Sequence, residues 1–87
     1  MRYRTTPGRW RRARATDLSS SGLRFSADRA LATGLRLDLV IDWPFRHHRG
    51  AQLQLIASGV VIWTSGTNTA LRFQRHEFRT WGVGSKA

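Results

Sequence analysis

The chain has no cysteine, only one lysine and only five acidic residues among its 87 residues. Without cysteine, disulfide bonds and thiolate metal sites are excluded. No apolar run approaches the roughly 20 residues that a transmembrane helix requires. The first residues, Met1-Arg2-Tyr3-Arg4, lack the apolar core of a secretory signal. We therefore expect a cytoplasmic protein with no transmembrane segment.

Basic charge is the most prominent property of the composition. Arginine supplies fourteen of the fifteen basic residues, and the formal net charge is +10. A basic surface of this kind attracts anions such as nucleic acids, nucleotides, acidic proteins and anionic lipids. The same composition would also be found on an ordinary solvated surface with no anionic partner, because net charge affects association and does not determine the fold.

Short stretches of alternating apolar and polar residues predict an all-β domain, either a barrel or a sandwich. We expect six strands, at residues 2–5, 10–16, 23–25, 35–41, 53–63 and 71–73. At this length one domain is expected, over residues 1–79, and residues 80–87 are predicted to form a flexible C-terminal tail. Gly59 lies within a predicted strand, where glycine is typical of a bend or bulge.

The alternation also predicts which side chains form the core. One face of the fifth strand should carry every second residue from Leu53 to Trp63. Eight side chains on four strands are expected to be buried: Leu23, Phe25, Leu37, Leu39, Leu55, Val61, Leu71 and Phe73.

The segment from Asp17 to Gly22 is predicted to be a polar turn between two strands. An ionised aspartate accepts hydrogen bonds and donates none, which suits the donor edge of guanine. Ser19, Ser20 and the turn amides could meet an anion, and Gly22 would permit positive φ and close backbone approach. Arginine matches the acceptors of guanine and pairs with phosphate. An ordinary turn closed by serine and glycine explains the same residues and remains open.

Other polar side chains do not form a convincing reactive set. His47, His48 and His76 lack carboxylates at ligand spacing, and adjacent residues point apart, so no metal site is expected. The serines have no histidine base placed beside them, so we expect no catalytic residues and no enzyme activity.

The segment Asp17-Leu18-Ser19-Ser20-Ser21-Gly22 resembles the (Asp/Asn)-x-Ser-x-x-Gly signature of PilZ domains, which are bacterial receptors for cyclic di-GMP. Residues 34–39, 58–63 and 70–73 are similar to later strands of that family, so the resemblance covers roughly residues 9–79. It implies a small six-stranded antiparallel β-barrel without a long helix. It also implies cyclic di-GMP as the ligand, with no other cofactor, and Asp17, Ser19, Ser20 and Gly22 as ligand-binding residues.

The sequence departs from the family at one motif. The family places Arg-x-x-x-Arg before the first strand, but no two arginines in the first fourteen residues stand four apart. The pair either precedes Met1 or is missing, and Arg12 and Arg14 are the candidates to replace it.

We therefore expect a regulatory module that resembles cyclic di-GMP receptors and signals through contact with an unidentified protein effector. One alternative is a degenerate PilZ domain that acts only in protein–protein interaction. The other is a basic nucleic-acid-binding β-barrel, and weak non-specific binding of nucleic acid is expected from the charge.

Overall fold

The computed structural model describes residues 1–42 and 52–81, and every regular element in them is a β-strand. The strands form one antiparallel sheet in the order β2-β1-β5-β6-β7-β4-β3, curled into a half-barrel. This confirms the predicted fold class. Their bounds are β1 (Arg2–Thr5), β2 (Arg11–Arg12), β3 (Arg14–Leu18), β4 (Gly22–Ser26), β5 (Arg36–Asp42), β6 (Gln52–Ser65) and β7 (Asn68–Trp81).

The sheet has seven strands rather than six because the predicted strand at residues 10–16 is divided at Ala13. The Ala13 amide donates to the carbonyl O of Met1 at 3.0 Å, while β3 beyond it pairs with β4. The short β2 before it pairs with β1. Ala13 therefore carries the chain from one edge of the sheet to the other, which brings the two edges together.

The core lies on the concave face of the sheet. Seven of the eight predicted core side chains are buried, and Phe73 is half-buried and packs against them. Full burial of one such side chain contributes about 1.5–3 kcal/mol. The core also contains Tyr3, Leu31, Ile41 and Ala57. The alternation of apolar residues thus predicts the inward face of β4, β5 and most of β6.

Two irregularities bend the long β6–β7 hairpin. The first lies at Gly59, where the sequence predicts a bend or bulge: the pairing register shifts between Ser58 and Gly59, and the extra residue is Gln74 on β7. The second lies between Val61 and Trp63 and reverses the alternation beyond it. The prediction that Trp63 shares the face of Val61 is therefore wrong, and its side chain is 52% exposed.

A hydrogen-bonded cluster joins the β1–β2 edge to the connection that follows β4. The Tyr3 hydroxyl donates to Asp28 Oδ1, and Arg11 Nη1 contacts Asp28 Oδ2 at 2.8 Å. Burial raises the pKa of Tyr3, and its hydrogen bond to Asp28 acts in the same direction. The bond from Tyr3 lowers the pKa of Asp28, with a further contribution from Arg11. In the part of the chain that the structure describes, β1 does not pair with β4, so this cluster connects the two sides of the half-barrel there.

Two further expectations concern the end of the chain and the membrane. β7 extends to Trp81, and the remainder of the predicted tail lies outside the described residues. Across residues 1–42 and 52–81, no helix is long and apolar enough to cross a membrane.

Candidate functional site

Half of the motif at residues 17–22 is strand, and its turn is shorter than the sequence predicts. β3 includes Asp17 and ends at Leu18, and β4 begins at Gly22. Only Ser19 to Ser21 therefore form the turn. The Ser19 amide donates to the Gly22 carbonyl O at 2.9 Å, which closes the turn. The Phe73 amide donates to the Ser21 carbonyl O at 2.9 Å, which fixes the turn against β7.

Strand pairing places Asp17 on the outer face of the sheet. Asp17 lies opposite Arg24, and the next pair along the ladder is Leu18 with the buried Leu23. Residues directly opposite each other share a face, and successive pairs alternate between faces. Asp17 and Arg24 therefore both point outward, away from the core.

The outer face carries an open cleft of about 460 Å³, which we call the motif cleft. Asp17, Ser19 and Gly22 line it together with Arg24 and Arg72. Within residues 1–42 and 52–81, no salt bridge involves the Asp17 carboxylate or either guanidinium. The motif cleft thus offers a carboxylate acceptor and two cationic donors that a ligand could engage.

Glycine at position 22 serves the packing of the sheet. Gly22 does not have a positive φ, so that part of the expectation is wrong, and the close approach that it allows is to the backbone of β7. A Cβ at Gly22 would lie 2.3 Å from the Leu71 carbonyl O, and one at Gly59 would lie 2.2 Å from the Arg72 carbonyl O. The two glycines therefore allow β4 and β6 to approach β7 closely from opposite sides, next to the motif cleft.

The other predicted site residues lie elsewhere. Ser20 lines a neighbouring apolar cleft with Leu18, Phe73 and other side chains. Arg12 lines a separate cleft beside Met1. Arg14 lies opposite Ser26 and Asp17 lies opposite Arg24, so Arg14 is one outward position away from Asp17, roughly 7 Å along β4. Ligand-binding roles for these three residues stay predictions, but the structure does not bring them into the motif cleft.

His76 does not line the motif cleft. His47 and His48 lie outside the described residues, and His76 lines the apolar cleft that contains Ser20. Among residues 1–42 and 52–81, no group of three potential metal ligands occurs.

Sequence reasoning missed Arg24 and Arg72 as members of the site. Each alternates with core residues, so the sequence could predict that both point outward. Their proximity depends on β4 pairing with β7, where Gly22 lies opposite Arg72. That pairing joins residues about fifty positions apart, and local periodicity carries no information about it.

Comparison with known proteins gives one finding. A family model described as PilZ domain matches residues 3–81, which is nearly the whole chain. The searches of curated proteins and of solved structures return no significant match.

Proposed function

The chain belongs to the PilZ domain family, and on this premise we propose that it is a regulatory module that binds cyclic di-GMP in the motif cleft. PilZ domains are binding modules rather than enzymes, so the proposal involves no chemical step. The observation that carries it is the position of Asp17 beside two guanidiniums on one outer face.

The roles follow from the chemistry of each group. The Asp17 carboxylate accepts hydrogen bonds from N1–H and the exocyclic amine of one guanine. Ser19 supplies a hydroxyl, which lies 3.4 Å from the Gly22 carbonyl O and 3.3 Å from the Ser21 hydroxyl. Arg24 and Arg72 bind a phosphate or the acceptor edge of guanine, because a guanidinium matches both geometries.

Signalling in this proposal passes through a protein contact. A ligand in the motif cleft touches β3, β4 and β7, and these strands also build the sheet surface around it. Occupancy therefore changes the charge and the shape of an exposed face. An effector protein that recognises this face would distinguish the free protein from the bound protein.

The test is a titration of the ¹⁵N-labelled protein with cyclic di-GMP, followed by amide chemical shifts. We expect shifts at Ser19, Gly22 and Arg72, and weaker binding by Asp17→Ala and Arg72→Ala. Loss of one charge-assisted hydrogen bond weakens binding about ten- to hundredfold. The matched control is Arg36→Ala, because Arg36 is exposed on β5 and lies outside the motif cleft.

Specificity gives a second criterion. Cyclic di-AMP has the same phosphates, but adenine presents an acceptor at N1, where a carboxylate finds no donor. We expect cyclic di-AMP to bind more weakly, with the difference abolished in Asp17→Ala. Equal affinity for both nucleotides would refute the role of Asp17. Failure to bind either nucleotide, even after an Arg-x-x-x-Arg pair is added before Met1, would mean that the motif is structural and that the domain acts through protein contacts alone.

A further inference from the structure

A second cleft of about 790 Å³ lies on the outer face of β1, β5, β6 and β7, away from the motif cleft. Val40 and Ile56 lie opposite each other on β5 and β6 and form an apolar floor. Arg4 and Trp10 stand on one side, and Arg75 and Arg79 stand on the other side. We call this surface the arginine-walled cleft.

The side chains of the walls are longer than the Val40 and Ile56 side chains of the floor. The Arg4 guanidinium lies 4.5 Å from the centre of the Trp10 ring, and Trp10 is 40% exposed. β1 and β7 are separated by β5 and β6, so three strand spacings of about 4.8 Å place the two walls roughly 14 Å apart. An α-helix with its side chains is about 10–12 Å wide, so one helix fits between the walls.

Cationic charge exceeds anionic charge around this cleft. Arg4 pairs with Asp38 at 3.3 Å in a half-buried pair, and Arg79 pairs with Glu77 at 3.4 Å in an exposed pair. Solvent reaches both pairs, so an incoming charge can compete with them. Arg75 has no ion pair among the described residues. An incoming carboxylate can thus bind Arg75 directly and compete for Arg4 and Arg79.

The charge also argues against occupants from this chain. A second copy carries +10 and would be repelled by the walls. Residues 43–51 and 82–87 contain no aspartate or glutamate, so neither segment supplies the missing carboxylates. Nucleic acid also supplies negative charge, but the Trp10 ring in the wall already carries the Arg4 guanidinium over it at 4.5 Å, and the floor formed by Val40 and Ile56 is aliphatic, so the cleft offers bases little surface for stacking.

We propose that the arginine-walled cleft is a docking surface for an acidic amphipathic helix of a partner protein. Apolar side chains of that helix pack on Val40 and Ile56, and carboxylates on both of its flanks meet Arg4 on one wall and Arg75 on the other. This is helix-in-groove recognition, with a basic groove and an acidic ligand. The proposal does not depend on cyclic di-GMP binding, because the two clefts are lined by different side chains.

The probe is a synthetic helical peptide of about five turns, with leucines along one face and glutamates on both flanks. One comparison peptide has lysine in place of each glutamate, and another has serine in place of each leucine. A single-stranded oligonucleotide of equal charge tests nucleic acid as the occupant. Binding is followed by amide chemical shifts of the ¹⁵N-labelled full chain at physiological salt.

We expect the acidic peptide to shift the amides of Val40, Ile56 and Arg75, and both comparison peptides to bind at least tenfold more weakly. Arg75→Glu should lower the affinity for the acidic peptide by a similar factor. Arg36→Glu makes the same charge change outside the cleft and should have little effect on that affinity. Ile56→Thr keeps a β-branched residue in the strand but replaces part of the apolar floor with a hydroxyl group, so it should also weaken binding of the acidic peptide.

Three results would overturn the proposal. Stronger binding of the oligonucleotide, with shifts at the same amides, would assign the cleft to nucleic acid. Equal weakening by Arg75→Glu and Arg36→Glu would show attraction to net charge without a site. Absence of binding by the acidic peptide to the folded wild-type protein would show that the cleft does not accept a helix.

Discussion

Replacement of Gly22 by alanine should destabilise the protein before any ligand is considered. The added Cβ would lie 2.3 Å from the Leu71 carbonyl O, and real Cβ contacts essentially never fall below 3.0 Å. Backbone must therefore move by about 0.7 Å, the difference between these two distances, because the obstacle is a carbonyl of β7. Overpacking of this kind costs about 1–3 kcal/mol. In a domain of this size, each kcal/mol lowers Tm by about 4–8 °C.

Thermal unfolding monitored by circular dichroism measures this loss in the absence of nucleotide. We expect Tm to fall by about 4–24 °C for Gly22→Ala. Gly66→Asn is the control, because Gly66 has a φ of 59° and open space around it, and asparagine tolerates that conformation. An unchanged Tm for Gly22→Ala, with nucleotide binding lost, would refute the packing argument and assign Gly22 to the ligand alone.

Two further predictions concern the Tyr3–Asp28 cluster and nucleic acid. Tyr3→Phe should cost about 1 kcal/mol in urea unfolding, because it deletes the hydroxyl that donates to Asp28. Since the pKa of Asp28 is lowered from 3.8 and that of Tyr3 is raised from 10.0, stability should fall as pH drops below about 4 and as it rises above about 10, and Tyr3→Phe should lack the alkaline loss due to Tyr3. Fluorescence anisotropy should show weak, sequence-independent DNA binding whose affinity falls roughly a thousandfold between 50 and 200 mM salt if about six phosphates are contacted. If Tyr3→Phe lost as much stability at alkaline pH as the wild-type protein, the role of Tyr3 would be refuted. Tight DNA binding at physiological salt, or a preference for particular bases, would contradict the prediction on nucleic acid.

The sequence predicts the core better than it predicts the surface. The prediction that Leu37 and Leu39 are buried is correct, because strict alternation over a whole strand shows which face is covered. Trp63 breaks the pattern because Ile62 is an extra residue in β6. Glycine at position 59 predicts the first irregularity, but isoleucine at position 62 is an ordinary strand residue and does not predict the second. The motif cleft is predicted in part, since Asp17 and Ser19 are close neighbours in one short sequence motif. Arg72 reaches the cleft through long-range pairing, which a local pattern cannot reveal.

The last prediction concerns the Arg-x-x-x-Arg motif, which an engineered N-terminal extension can supply. Met1 and Ala13 exchange backbone hydrogen bonds of 3.0 and 3.2 Å, one step beyond the Arg2–Arg12 pair of β1 and β2. Continued in the same antiparallel register, residues before Met1 would run beside β3, which is an edge strand. About four such residues would bring the extension level with Asp17. The geometry thus directs an added arginine pair toward the motif cleft.

The unextended chain should bind cyclic di-GMP weakly or not at all, because the two guanidiniums that line the motif cleft must serve two phosphates and also the acceptor edges of two guanines. Two additional charge-assisted contacts of about 1.5–3 kcal/mol each should strengthen binding by two to four powers of ten. Distant arginines compensate little, since charges beyond about 8 Å are screened at physiological salt. Calorimetry should compare the extension with one that carries glutamine at both arginine positions, each with and without Asp17→Ala. An equal gain from the glutamine version would show that pairing along β3, rather than charge, strengthens binding. Tight binding by the unextended chain, abolished by Asp17→Ala, would show that its own arginines already replace the pair.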